Sequence, residues 1–173
     1  MAVINGTPAD DVLVGTDLND EIRGEGGNDQ LDGRAGDDTL NGGSGNDELD
    51  GGDGSDTAAY AGSEAGVTVD LNLTGAQNTG GAGTDTLTSI ENLSGSSFAD
   101  TLTGNAAANV LVGNSGSDTL NGGGGNDTLE GEDGRDRLNG GDGSDTLMGG
   151  ASDDALDGGA GADAMSGGTG DDS

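Results

Sequence analysis

The sequence predicts an all-β protein built as a solenoid, in which short strands and turns stack along one axis. A nine-residue pattern, G-G-x-G-x-D-x-U-x with U a large aliphatic residue, recurs in two unbroken runs, residues 6–59 and 95–166. Glycine opens every unit, and Leu or Ile stands at position 8 of most units. Units that cannot bury an apolar face alone become stable by stacking on their neighbours.

Each unit divides into a glycine-rich turn and a short strand. Glycines at positions 1, 2 and 4 allow positive φ angles or a close approach of two backbones. Positions 7 to 9 predict a three-residue strand, whose alternation points position 8 inward and its neighbours outward. Position 8 is Leu or Ile in twelve of the fourteen complete units, and Ala58 and Met165 occupy it in the other two. Stacking therefore predicts one continuous apolar seam.

Position 6 is the acidic position of the repeat. Position 6 is Asp in every complete unit except one, where it is Asn109. The free energy gained by burying this apolar seam is small compared with the free-energy cost of the conformational entropy lost when the repeats become ordered. Carboxylates facing each other on coils about 4.8 Å apart would also repel by about 3.5 kcal/mol at an effective dielectric near 20. A divalent cation between the loops would reverse this repulsion, and donors that are all oxygen favour calcium over zinc or copper. The sequence thus predicts a fold that depends on bound metal.

Composition excludes several other classes of protein. The 34 acidic and 4 basic residues give a net charge of −30, which by itself is typical of a disordered acidic segment and which repels nucleic acid and anionic membranes. The chain has no His and no Cys, so zinc-protease motifs, histidine-dependent triads and cysteine nucleophiles are absent. We expect no catalysis by this chain. We also expect metal, in place of disulfides, to stabilise it, and no apolar run is long enough to span a bilayer.

The two runs predict three parts of the chain, which we expect to form one continuous solenoid. They are an N-terminal cap with the first array at 1–59, a connecting spacer at 60–94 and a second array at 95–173.

Within the spacer, VTVDLNL at 67–73 alternates as a strand does, GAQNTGGAGTD at 75–85 predicts a loop, and LTSIENL at 87–93 predicts a second short strand or turn. Tyr60 and Phe98, the two aromatic residues, flank the spacer. We expect both to plug the interior beside it.

The repeat, intact at 42–50, 122–130 and 140–148, resembles the RTX (repeats-in-toxin) nonapeptide of hemolysin-type calcium-binding proteins. Residues 56–72 and 83–104 are similar to the segments that connect RTX arrays in secreted bacterial enzymes. The resemblance implies a right-handed parallel β-roll, with two nonapeptides per coil and loops of the same edge 18 residues apart. It also implies calcium between such loops. The ligands would be the position 6 carboxylate of each loop, carbonyls of positions 2 and 4 from the earlier loop, and carbonyls of positions 1 and 3 from the later one.

The resemblance carries these ligands over to particular residues and implies about five to eight calcium ions. The paired loops are those of Asp29 with Asp47, Asp38 with Asp56, Asp118 with Asp136, Asp127 with Asp145, Asp136 with Asp154, Asp145 with Asp163, and Asp154 with Asp172. The carboxylate ligands are Asp20, Asp29, Asp38, Asp47, Asp56, Asp118, Asp127, Asp136, Asp145, Asp154, Asp163 and Asp172. The carbonyl ligands are Glu25, Gly27, Arg34, Gly36, Gly42, Ser44, Gly51, Asp53, Asn114, Gly116, Gly123, Gly125, Gly131, Glu132, Asp133, Gly134, Gly140, Gly141, Asp142, Gly143, Gly149, Ala151, Gly158 and Ala160.

Some loops depart from the pattern at position 4. Larger residues stand there in the loops 6–11, 15–20, 95–100 and 104–109, which we expect to be poor calcium loops that cap each array. The residues concerned are Ala9, Leu18, Phe98 and Ala107. Ser152 weakens the same expectation of calcium binding for the loop 149–154.

The resemblance implies export by a type I secretion system and folding outside the cell when calcium binds. The start of the chain lacks the charged and apolar regions of a classical signal peptide, and its end, GTGDDS, carries no evident export signal. We therefore expect an extracellular module, secreted or at the cell surface, that supports a larger parent protein, which could be a secreted enzyme. A carbohydrate- or surface-binding adhesin module remains the alternative, with a glycan or cell surface as partner.

Overall fold

The computed structural model describes all 173 residues as a stack of coils made of strands and turns, with no helix. Within the arrays, strands pair in parallel with the equivalent strand one coil further along the stack. Ile22 therefore lies opposite Leu40, and Leu120 lies opposite Leu138. The predicted all-β parallel roll is thereby confirmed. No helix long and apolar enough to cross a bilayer is present.

One side of the roll is a parallel sheet that runs the whole length of the molecule. It contains, in spatial order, β1 (Val3–Asn5), β3 (Glu21–Arg23), β5 (Thr39–Asn41), β7 (Thr57–Ala59), β11 (Asn92–Ser94), β13 (Val110–Val112), β16 (Thr128–Gly134), β18 (Thr146–Ala151) and β20 (Ala164–Thr169). The short strand β14 (Ser115–Gly116) also pairs with β16.

The opposite side consists of two separate sheets. The first contains β2 (Val12–Val14), β4 (Gln30–Asp32), β6 (Glu48–Asp50), β10 (Thr84–Thr88) and β9 (Gln77–Asn78), the last antiparallel to β10. The second contains β8 (Thr68–Asp70), β12 (Thr101–Thr103), β15 (Thr119–Gly124), β17 (Arg137–Gly143) and β19 (Ala155–Gly161).

Position 8 forms the core, as the alternation predicts. In the interior repeats the position 8 residue is buried while its two neighbours in the strand are at least partly exposed, because a strand presents alternate side chains to opposite faces. Burial is weaker at the two ends of the stack, where Leu13 and Leu156 are half-buried and Met165 is 55% exposed. The fully buried position 8 residues are Ile22, Leu31, Leu40, Leu49, Ala58, Leu102, Leu111, Leu120, Leu129, Leu138 and Leu147.

The prediction of three-residue strands holds in the first array and is wrong in much of the second. From β15 onward the strands extend through the glycines, and Gly123 pairs with Gly141 in the ladder between coils. Glycine has no side chain to separate the coils, so the backbones of the turns approach closely enough to pair.

The spacer contains more regular structure than its composition predicts. The predicted strand at 67–73 forms β8, with Val67 and Val69 buried. The predicted loop at 75–85 contains β9 and the start of β10, so that prediction is wrong. Tyr60 is buried inside the roll, whereas Phe98 is 45% exposed and does not plug it. Phe98 stands at position 4 of its loop, where the chain turns at the edge of the roll and not in a strand.

Candidate metal centres

The position 6 carboxylates form a regular column along each edge of the roll. Within each array, the backbone N–H at position 6 donates to Oδ1 of the Asp one coil further on. Asp29 donates to Asp47 at 2.9 Å and Asp118 donates to Asp136 at 2.8 Å, each pair 18 residues apart. These aspartates are almost completely buried; Asp118 is 1% exposed and Asp136 is 0% exposed. The carboxylates are thus fixed at coil spacing along each edge, and only one oxygen of each is used in this contact.

The second oxygen of most of these carboxylates has no partner. A buried carboxylate oxygen without a hydrogen bond is costly, so such groups in folded proteins are paired, protonated or bound to a cation. The Oδ2 atoms that are buried and unpartnered are those of Asp29, Asp38, Asp47, Asp56, Asp118, Asp127, Asp136, Asp145 and Asp154. This row of unpartnered oxygens is the main indication that the loops are built to hold cations.

A backbone carbonyl of a neighbouring coil lies beside most of these oxygens. A β-carbon added to Gly122 would lie closer than 3.0 Å to both Asp127 Oδ2 and the Gly140 carbonyl oxygen. The same pair of oxygens, one carboxylate and one carbonyl of the next coil, surrounds Gly24, where they come from Asp29 and Gly42. Glycine is therefore needed at position 1 to leave room for these oxygens, and not for positive φ.

The carbonyls of positions 2 and 3 also lie between coils. The Glu25 carbonyl accepts from Ser44 N–H at 3.1 Å, and the Ser44 carbonyl accepts from Gly27 N–H at 3.0 Å. Each carbonyl oxygen has a second lone pair that is still free to bind a cation. The carbonyl of position 4 packs against the next position 4, as Gly27 does against Gly45. The structure thus brings the predicted carbonyl donors to the same edge as the carboxylates.

The backbone divides the loops into two classes. In the class that we call open loops, the residues at positions 2 and 4 have positive φ even where they are not glycine, as at Glu25 (75°), Arg34 (76°) and Ser152 (88°). Positive φ is uncommon outside glycine, so the turn itself imposes this conformation. The open loops are those that begin at Gly24, Gly33, Gly42, Gly51, Gly113, Gly122, Gly131, Gly140, Gly149, Gly158 and Gly167.

The second class, which we call self-capped loops, comprises 6–11, 15–20, 95–100 and 104–109. Positions 2 and 4 lack positive φ there, and the position 2 N–H donates to the position 6 side chain of its own loop. Thr16 donates to Asp20 Oδ2 through its N–H and its hydroxyl, both at 2.7 Å. The corresponding N–H bonds join Thr7 to Asp11 at 2.6 Å, Ser96 to Asp100 at 2.6 Å and Asn105 to Asn109 at 2.8 Å. In these loops a local hydrogen bond satisfies the oxygen that the open loops leave free.

The pKa values of some aspartates differ between the two classes of loop. Burial, together with the smaller effect of neighbouring carboxylates, raises the pKa of Asp118 to about 7 and those of Asp47 and Asp56 to about 6. In the self-capped loop 15–20, the hydrogen bonds donated by Ala2 and then by Thr16 lower the pKa of Asp20. Without a cation, ionisation of Asp47, Asp56 and Asp118 is therefore less favourable than in water, whereas ionisation of Asp20 is more favourable.

The remaining predicted ligands differ in their surroundings. Asp163 and Asp172 accept from Asp145 and Asp154 at 3.0 Å, but they lie at the exposed end of the stack. Asp20 belongs to a self-capped loop, so its oxygen is already bonded. Nowhere do three or more acidic side chains converge on one point. A cation bound here would need carbonyl oxygens as well as carboxylates, a donor set that suits calcium.

The structure adds two acidic residues that the sequence analysis missed. Asp47 N–H donates to Asp85 Oδ1 at 3.1 Å, and Asp56 N–H donates to Glu91 Oε2 at 2.9 Å, so the spacer continues both columns of carboxylates. Residues 80–88 read GGAGTDTLT, a full nonapeptide two residues out of frame with the first array, and a search without a fixed frame would find it. No repeat surrounds Glu91, so the sequence gives no signal for it.

Comparison with known proteins agrees with this geometry. The family model of the RTX calcium-binding nonapeptide repeat, which describes four copies, matches residues 5–40, 27–58, 88–120, 112–147 and 139–173. No curated protein matches the chain. The matches cover most of the sequence and carry the repeated Gly and Asp positions that form the loops, which is the resemblance predicted from the sequence. The chain therefore belongs to the RTX calcium-binding nonapeptide repeat family.

Proposed function

We propose that this RTX β-roll folds when calcium fills its open loops outside the cell, and that it thereby supports the folding and stability of an extracellular parent protein. The roll binds calcium as a member of its family. The proposal adds the coupling of binding to folding, export through a type I system and a structural role that is not catalytic.

The observation that carries the proposal is the row of buried, unpartnered Oδ2 atoms. In water each of these oxygens would be hydrated, so burying them without a partner opposes folding. A calcium ion supplies a partner of opposite charge and accepts six to eight oxygens in flexible geometry. Binding free energy then becomes folding free energy, because the unfolded chain has no such sites.

Each ion would lie between two open loops one coil apart. The Asp of the earlier loop and the position 1 carbonyl of the later loop already border one space, as Asp127 Oδ2 and the Gly140 carbonyl do. We propose calcium between the loops of Asp29 and Asp47, Asp38 and Asp56, Asp118 and Asp136, Asp127 and Asp145, Asp136 and Asp154, Asp145 and Asp163, and Asp154 and Asp172. The carbonyls of positions 2 and 4 from the earlier loop and of position 3 from the later loop would complete each shell.

Net charge links this binding to export. With a formal charge of −30 and no bound cation, the chain repels itself and disfavours the compact state. Extracellular calcium modules bind in the range of about 0.1 to 1 mM, far above the free calcium of a cytosol. The chain would therefore stay extended before secretion and fold after it.

A calcium titration tests the proposal directly. Far-ultraviolet circular dichroism of the chain in chelator should show little β structure, and addition of calcium should restore it cooperatively. Calorimetry on the same sample should give several ions per chain. Identical spectra in calcium and in chelator would rule out folding coupled to calcium.

We further propose that the cap and first array at 1–59, the spacer at 60–94 and the second array at 95–173 unfold as one unit in calcium. The continuous sheet supports this, since β7 pairs with β11 and β11 pairs with β13. Differential scanning calorimetry should show one transition in saturating calcium. Two separate transitions would show that the arrays are independent domains.

A further inference from the structure

Asp56 is the last Asp of the first array, and one of its carboxylate oxygens is unused. Asp56 is 0% exposed, and its Oδ1 accepts from Asp38 N–H at 2.8 Å. Its Oδ2 is buried and has no partner. The next nonapeptide loop on this edge is absent, because the regular frame stops at residue 59.

Two oxygens of the spacer occupy the positions that the missing loop would fill. Glu91 Oε2 accepts from Asp56 N–H at 2.9 Å, as the Asp of the next coil does elsewhere. A β-carbon added to Gly51 would lie closer than 3.0 Å to both Asp56 Oδ2 and the Ser89 carbonyl oxygen. In the open loop at Gly122, the equivalent pair comes from Asp127 and the position 1 carbonyl of Gly140.

We infer that Asp56, Glu91 and the carbonyl of Ser89 form a calcium site that joins the spacer to the first array. The inference rests on the proposed function, since it assigns the same ion to a segment without the repeat. The donors are all oxygen and two are carboxylates. Two ligands of one calcium ion, each at about 2.3 to 2.6 Å from it, can be as much as about 5 Å apart, and the two oxygens beside Gly51 meet that limit. The longer side chain of Glu91 substitutes for the Asp that a nine-residue loop would supply.

The next coil on the same edge shows where this row of ions ends. Asn109 lies one coil beyond Glu91, and its Nδ2 donates to the Glu91 carbonyl at 2.6 Å. An amide nitrogen cannot bind a cation, so the row stops there and resumes at Asp127. The site would fix residues 89–91 against β7, which places β11 in the continuous sheet.

Calorimetric calcium stoichiometry of the full chain tests the site through Glu91→Gln. The amide oxygen of Gln can still accept from Asp56 N–H, so the fold is retained while the charge is lost. We expect Glu91→Gln to bind one calcium ion fewer than the unmodified chain. Glu64→Gln, a matched change at an exposed spacer residue, should bind the same number. A Glu91→Gln chain with full stoichiometry would overturn the inference.

A second variant keeps the test decisive if Glu91→Gln does not recover the circular dichroism of the unmodified chain in calcium. Asp56 would serve both the Asp38 pair and the Glu91 site, so Asp56→Asn should lose two ions. Loss of only one would overturn the inference. Failure of the proposed function has a different signature, because the circular dichroism of the unmodified chain would then be the same in calcium and in chelator.

Discussion

Calcium stoichiometry should depend on where an Asp stands in its column. Under the proposed pairing, Asp136 serves two ions, one with Asp118 and one with Asp154, whereas Asp127 serves only one because Asn109 precedes it. Asp136→Asn should therefore lose two ions and Asp127→Asn one. Asp11→Asn should lose none, because its oxygen is already bonded to Thr7.

The size of the effect follows from mass action. An ion at a free concentration one hundred times its dissociation constant stabilises the folded state by about 2.7 kcal/mol. Asp136→Asn should then cost about 5 kcal/mol and Asp127→Asn about 3 kcal/mol in calcium. Asn keeps an oxygen that can accept from Asp118 N–H, a bond of 2.8 Å, so the backbone contact survives the change.

The assay combines calorimetric stoichiometry with urea unfolding at two fixed concentrations of free calcium, both high enough to keep every variant folded. The difference in unfolding free energy between Asp136→Asn and Asp127→Asn should increase with free calcium, because the first variant loses one more ion. Equal losses of calcium for Asp136→Asn and Asp127→Asn would refute the shared-ligand arrangement. A loss for Asp11→Asn would refute the division of loops into open and self-capped classes.

Three further predictions concern protons, loop glycines and the core. Burial raises the pKa of Asp118 to about 7, so the calcium-free fold binds this proton more tightly than the unfolded chain and loses stability as the pH rises through that pKa. Acidification in chelator from pH 7 to about 4.5 should therefore increase the far-ultraviolet β signal, and an unchanged signal would contradict this. Gly122→Ala should lose one calcium ion in calorimetry, because its methyl group would displace two ligand oxygens. Gly124→Ala should lose none, because no atom lies nearer than 3.7 Å to the added β-carbon. Equal losses would count against the role of the position 1 glycine in leaving room for the ligand oxygens. Leu129→Ala should lower the free energy of unfolding, measured with urea in calcium, by about 2 to 5 kcal/mol, because Leu129 is completely buried. Met165→Ala, at an exposed position, should lower it by less than about 0.5 kcal/mol. Similar losses would contradict a core formed by the position 8 residues.

The nine-residue period was sufficient to predict the core and the carboxylate columns. Both follow from one geometric fact, that a fixed period places the same position of every unit on the same line of the stack. Leu129 and Asp127 could therefore be assigned to the core and to a loop edge without knowledge of any contact.

The spacer could not be predicted in the same way, because its contacts do not follow the period. Leu87 pairs with Leu49 across 38 residues, since 80–88 forms a coil in a shifted frame. Glu91 replaces an Asp only because a longer side chain reaches the same backbone N–H from a different turn. Such a substitution is decided by three-dimensional position, which a linear pattern does not contain.

The division between loops was predicted from position 4, and the structure shows that the backbone at position 2 differs as well. The sequence shows only that Leu18 and Phe98 stand in place of glycine at position 4. The structure shows that Thr16 and Ser96 donate to the carboxylate of their own loop instead. In all four self-capped loops a hydroxyl or amide residue stands at position 2 and a residue larger than glycine stands at position 4. With the hydrogen bond from position 2 to position 6 known, this pair of positions identifies a self-capped loop from the sequence.

We therefore expect calcium dependence to be unequal along the roll. The self-capped loops 6–11 and 15–20 stand at the start of the first array, and 95–100 and 104–109 stand at the start of the second. Their carboxylates or amides are satisfied by hydrogen bonds within the loop, so these coils carry no unpartnered buried oxygen when calcium is absent. The open loops that follow each of them do carry such oxygens. We therefore expect each array to begin on a coil whose stability does not require the ion. The strands of that coil, such as β3 and β13, pair with β5 and β16 of the next coil, so the calcium-dependent coils stack on a coil that is already ordered.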